Sequence, residues 1–129
     1  MDTVPLSGGN NSGVVSIPFF FNLGGAVLTP GLDAWHFIPF DCTIQSATVL
    51  GDQTGSIQFT LGVCDLTGYN TFASIVGSSP PLLSSAKKSS DSILSGWTTF
   101  VKSGSILKAN ISTVATLTAC GLYLAAERA

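Results

Sequence analysis

The chain has 129 residues, enough for one domain with a buried core. Only 9% are charged, against roughly 25% in an ordinary soluble domain, so Ser, Thr, Gly and Asn, or neighbouring molecules, must cover the surface. Five basic residues and a net charge of −2 exclude a nucleic-acid surface, and no apolar run reaches the roughly 20 residues of a helical membrane span.

Residues 1–13 are polar and glycine-rich, ending Gly8-Gly9-Asn10-Asn11-Ser12-Gly13. They have too little apolar surface to order alone. This predicts a flexible N-terminal arm that lies across a neighbour in an assembly, with the domain proper over 14–129. The segment lacks the basic and apolar regions of a signal peptide, which predicts a cytoplasmic origin with assembly there rather than export.

Residues 14–21 (VVSIPFFF) read as a strand, dense in β-branched and aromatic side chains. Pro18 cannot donate to a ladder, so this strand belongs at an edge or carries a bulge. Successive strand side chains point to opposite faces. At least one of Phe19, Phe20 and Phe21 must therefore leave the core, and a subunit interface is the natural place for it. Residues 22–31 form a connection turned by Gly24-Gly25 and Pro30-Gly31, and 32–40 a further strand interrupted by Pro39.

Residues 56–64 (SIQFTLGVC) give the cleanest strand pattern, with Ile57, Phe59, Leu61 and Val63 on one face. Residues 43–50 are a second strand, and Gly51-Asp52-Gln53-Thr54-Gly55 between them predicts a hairpin. The pattern then degrades over 65–79, apart from a short apolar piece at 72–76. Pro80-Pro81 excludes helix and central strand. Residues 80–91 are therefore expected to be a long polar link across one end of the domain, a candidate functional loop. Lys87-Lys88, followed by Asp91, reads as a solvated turn. A strand is expected over 94–101, entered through Gly96, then a turn at 102–105 and a strand at 106–111. A last strand at 114–125 is apolar on both faces, as a central strand should be. About eight strands without helical period predict an all-β, antiparallel sandwich of jelly-roll type.

The chemistry-bearing residues point to no active site. Cys42, Cys64 and Cys120 are odd in number and fit no zinc spacing, so they read as buried free thiols. The single histidine, His36, sits in an apolar Trp35-His36-Phe37 context and reads as a packing residue. Asp33, Asp41 and Asp52 fall at strand ends or turns, where aspartate is locally favoured, and no spacing suggests a paired-carboxylate hydrolase. Trp35, Trp97, Tyr69 and Tyr123 could form a sugar-stacking platform. Trp97 is read as a packing residue and Tyr69, in a Gly-Tyr-Asn loop, as the aromatic most available to a ligand. No catalytic residue, cofactor or metal is expected.

Several pieces carry a resemblance in their order and spacing. They are Gly24-Gly25-Ala26 with Thr29-Pro30-Gly31, Ile38-Pro39-Phe40-Asp41-Cys42-Thr43-Ile44, Leu50-Gly51-Asp52-Gln53-Thr54-Gly55-Ser56, Pro80-Pro81-Leu82-Leu83-Ser84-Ser85-Ala86 and Leu94-Ser95-Gly96-Trp97-Thr98-Thr99. From Gly24 onward the chain resembles a β-sandwich module of tailed-phage virion proteins, found in tail fibres and other surface proteins. It departs after Val63, where 64–70 is small and polar instead of charged and aromatic. The resemblance implies a non-enzymatic virion component. The leading expectation is a capsid decoration or cement protein, bound to the major capsid protein and to sister subunits as a homotrimer. Its contact surface is then expected at Ser7, Val14, Val15, Ile17, Phe19, Phe20 and Phe21. The alternative is a tail-fibre or receptor-binding module among other virion proteins, holding host glycan through Tyr69, Asn70, Lys87 and Lys88.

Overall fold

One strand of 24 residues, β3 (Cys42–Asp65), carries most of the architecture. In the computed structural model, which describes residues 13–129, it follows β1 (Val14–Asn22) and β2 (Asp33–Ile38). After it come β4 (Ala73–Ser74), β5 (Leu82–Asp91), β6 (Phe100–Val101), β7 (Ser105–Ala115) and β8 (Ala119–Arg128). No helix occurs among the described residues. Residues 1–12 of the expected arm, Ser7 among them, lie outside the described residues.

The expected hairpin at 51–55 does not form, because β3 runs through it. Along one edge of β3, residues 56–65 pair antiparallel with β7 and residues 42–51 with β8. Both sides of this ladder bend at the same level. Thr116, between β7 and β8, takes a left-handed φ of 69°. Opposite it, Gln53 Nε2 donates to the Thr116 carbonyl at 2.8 Å, and Thr116 Oγ1 donates to the Thr54 carbonyl at 3.2 Å. The Asp52 carboxylate accepts from the backbone N–H groups of Thr118 and Ala119, each at 3.2 Å, and from the Thr118 hydroxyl. The residues that looked like a reversing turn thus stitch a corner.

β5 lies on the other edge of β3, pairing across the same corner from Ala47 to Gln58. It bends at Ser85, whose φ is 48°, and this brings the Ser89 hydroxyl onto the Leu82 carbonyl at 2.7 Å. Residues 82–91 are therefore a strand rather than the expected polar link. Backbone pairing is indifferent to the Ser and Lys side chains, which face water and blunt an edge strand. The strand expected over 94–101 shrinks to β6, because Asp91 Oδ1 accepts from the N–H groups of Ile93 and Leu94 and turns the chain. The strand expected from Val114 starts at Ala119, since Val114 still belongs to β7.

The corner divides one eight-stranded sheet into two layers. The first layer is β1, β8 and the N-terminal half of β3, with β1 an edge as Pro18 requires. The second is β2, β7 and the C-terminal half of β3, with β4 alongside. Phe21 of the first layer meets Phe59 of the second at 5.6 Å between ring centroids. Phe19 meets His36 edge-on at 6.2 Å. The result is an all-β antiparallel sandwich, closed enough at its corner to approach a barrel. Ile17, Phe19, Ile57, Phe59, Leu61, Leu107, Ile111, Leu122 and Leu124 fill the space between the layers.

Candidate functional site

Alternation along β1 decides which phenylalanines are available. Ile17, Phe19 and Phe21 are buried in the core and offer no surface to a partner, contrary to the expected contact list. Val15 is half-buried against the same core. Val14 and Phe20 project outward, Phe20 with 60% of its surface exposed. The signal was present in the sequence, since Phe20 shares its strand parity with Ser16 and Asn22.

On the outer face of the first layer, register places Phe20 beside Gly121, Gly121 beside Leu50, and Leu50 beside Lys88. The Tyr123 ring lies in the space a side chain at position 121 would fill. Exposed Phe20 and Leu50 therefore flank a depression of about 190 Å³ floored by Gly121 and walled by Tyr123. The neighbouring row is Pro18, Tyr123, Thr48 and Ser90. This is a largely apolar strip, with Lys88 at one end and the Asp52 carboxylate on the wall of the depression.

The outer face of the second layer is chemically graded. Its first row is Asp33, Asn110 and Thr60; its second is Trp35, Lys108 and Gly62; its third is Phe37, Ile106 and Cys64. Asn110 Nδ2 donates to Asp33 Oδ1 at 2.5 Å. Lys108 Nζ stands 4.7 Å from the centroid of Phe72. The Phe72 Cβ packs over Gly62 so closely that a Cβ at 62 would lie 3.0 Å from it. Tyr69 is exposed and meets Phe72 edge-on at 6.4 Å.

The expected ligand loop is not one loop. Tyr69 and Asn70 sit in a turn held by Asp65 Oδ1, which accepts from Gly68 N at 2.7 Å, and Asn70 has a φ of 82°. Lys87 and Lys88 are exposed on β5, with Lys88 opposite Leu50 on the first layer. Of the four candidate platform aromatics, Trp35 and Tyr69 are exposed. Trp97 packs against the core and donates Nε1–H to the Ser79 carbonyl at 2.8 Å. Tyr123 folds over Gly121.

Titratable chemistry is muted. Burial, and then the charge of Asp52, pushes the Cys120 thiol up to about 12. Burial and the neighbouring Asp41 raise that of Cys42. Both thiols are protonated at neutral pH and are poor nucleophiles. The hydrogen bond from the Thr118 hydroxyl holds the Asp52 carboxyl below its ordinary value, assisted by backbone N–H groups. Among the described residues no group of three or more His, Cys, Asp and Glu is placed to hold a metal ion.

No protein-family model matches the chain, and no curated protein does. Among solved structures it is similar to a chain in the structure of infectious bursal disease virus Gx strain, at 13% identity and a TM-score of 0.37 over 89% of this chain. The chain spans 33% of that viral chain's length. It is also similar to a structure described as CBM4 structure and function, at 9% identity and a TM-score of 0.34, over 92% of this chain and 94% of that one. At these values neither likeness bears on function, and the tailed-phage resemblance rests on the sequence pieces alone.

Proposed function

We propose that the protein is a non-enzymatic structural component of a virion. In this reading it decorates the capsid surface, binding the major capsid protein and sister copies, as a homotrimer, through the outer face of the first layer. The observation that carries the reading is Phe20, 60% exposed on an edge strand and facing exposed Leu50 across Gly121, in a chain with only 9% charged residues. Burying such a strip is worth roughly 25 cal/mol per Å² before association costs. The alternative glycan-binding loop is weaker, because Lys87 and Lys88 lie with the first layer and Tyr69 with the second.

Light scattering on the purified chain, and co-sedimentation with capsids lacking it, test the reading together. The wild type is expected to self-associate and to sediment with particles. Phe20→Ser is expected to lose both while keeping its thermal midpoint, since its ring contributes little to the core. A wild type that stays monomeric, or full capsid occupancy by Phe20→Ser, overturns the reading.

A further inference from the structure

The geometry points to an oligosaccharide-binding site on the outer face of the second layer, centred on Trp35. The inference does not depend on the capsid reading, which uses the opposite face. Trp35 is 50% exposed on edge strand β2 and has the Lys108 stem as its cross-strand neighbour. Beyond Lys108 lies a depression of about 230 Å³ lined by Thr60, Gly62, Phe72, Ser74 and Lys108. Two interstrand steps, about 10 Å, separate Trp35 from this depression.

The mixture of groups selects the occupant. A protein interface core is depleted of Lys and Asp, whereas here Lys108, Asp33 and Asn110 stand directly among the aromatics. A phosphate backbone needs several cations, and this face supplies Lys108. A pyranose combines an apolar C–H face with hydroxyls around its rim. Trp35 and Phe37 supply ring faces for the first. The Asn110–Asp33 pair and the Thr60 and Ser74 hydroxyls supply hydrogen-bond partners for the second. The Phe72 ring takes the charge of the Lys108 ammonium but none of its N–H donors in a conventional hydrogen bond. Those donors suit hydroxyls or a sugar carboxylate. Apolar walls with a few oriented polar groups are the general form of a ligand site.

Isothermal titration calorimetry of the full chain with cellohexaose, chitohexaose and hexagalacturonate tests the assignment and separates neutral from acidic sugars. At least one should bind at millimolar concentration or below. Trp35→Ala should weaken it about tenfold or more, Trp35→Phe should recover part of the loss, and Lys108→Gln should weaken the uronate selectively if that is the sugar bound. Ile93→Ser, at a loop position 83% exposed, should match the wild type. No heat with any of the three sugars, or wild-type affinity in a folded Trp35→Ala, overturns the assignment. So does an equal loss in Ile93→Ser.

Discussion

Asp52 shows how a residue placed for one structure serves another. As the second residue of a Gly-Asp-Gln-Thr-Gly run it looked like turn chemistry, yet its carboxylate receives Thr118 and Ala119 from across the ladder. Because these bonds favour the ionised form, its folded pKa lies below its unfolded one. The stabilisation is therefore complete above the unfolded value and is lost as pH falls through the folded one. The thermal midpoint of the wild type should drop on acidification below roughly pH 4. Asp52→Asn keeps an acceptor without the titration, so its midpoint should fall less over the same range when the two are compared by calorimetry. At this scale the sequence carried a parity signal that the expected contact list, which groups Ile17, Phe19 and Phe21 with Phe20, does not follow. Ser16 and Asn22 mark the outward face of β1, and Asp33 marks that of β2. Asp52 was misread because its partners lie more than 60 positions away, 66 to Thr118 and 67 to Ala119.

Among the elements, β3 was legible in its halves and hidden as a whole. The period-two pattern of 56–64 was real, and Ile57, Phe59 and Leu61 are buried. What misled was the glycine pair. Gly51 and Gly55 are not among the glycines with positive φ, so they do not reverse the chain in the manner of a tight hairpin turn. Gly55 instead permits close approach. A Cβ there would stand 2.6 Å from Thr116 Oγ1 and 2.7 Å from the Ala115 carbonyl oxygen. The second contact is to backbone and cannot be relieved by a rotamer change. Gly55→Ala should cost ~1–3 kcal/mol as overpacking, read as a lower denaturant midpoint with an unchanged slope. β5 was hidden for a different reason. Its ladder to β3 is made by backbone, and of its side chains Leu83 alone is buried in the core, so the sequence shows a polar run.

For the whole molecule, the fold class was legible because strand length, turn residues and the absence of helical period agree with one another. Layer assignment was not, since it depends on a corner that β3 and β5 run through and at which β7 and β8 meet. The graded second face was equally invisible. Trp35, Lys108 and Gly62 form one row only through nonlocal register. Because β3 belongs to both layers, neither can open alone, and unfolding in guanidinium should be one transition with coincident fluorescence and circular-dichroism curves. Two separated transitions would show that the layers unfold independently.

The central position of β8 has a consequence during synthesis. This strand, at residues 119–128, lies between β1 and β3, so the first layer has a gap until the ribosome has delivered it. A nascent chain stalled before residue 119 would present β1 and the front half of β3 as open backbone templates, the geometry that invites mispairing between chains. The first layer therefore closes only when this last strand docks, and truncation within β8 should yield aggregates instead of a smaller soluble domain.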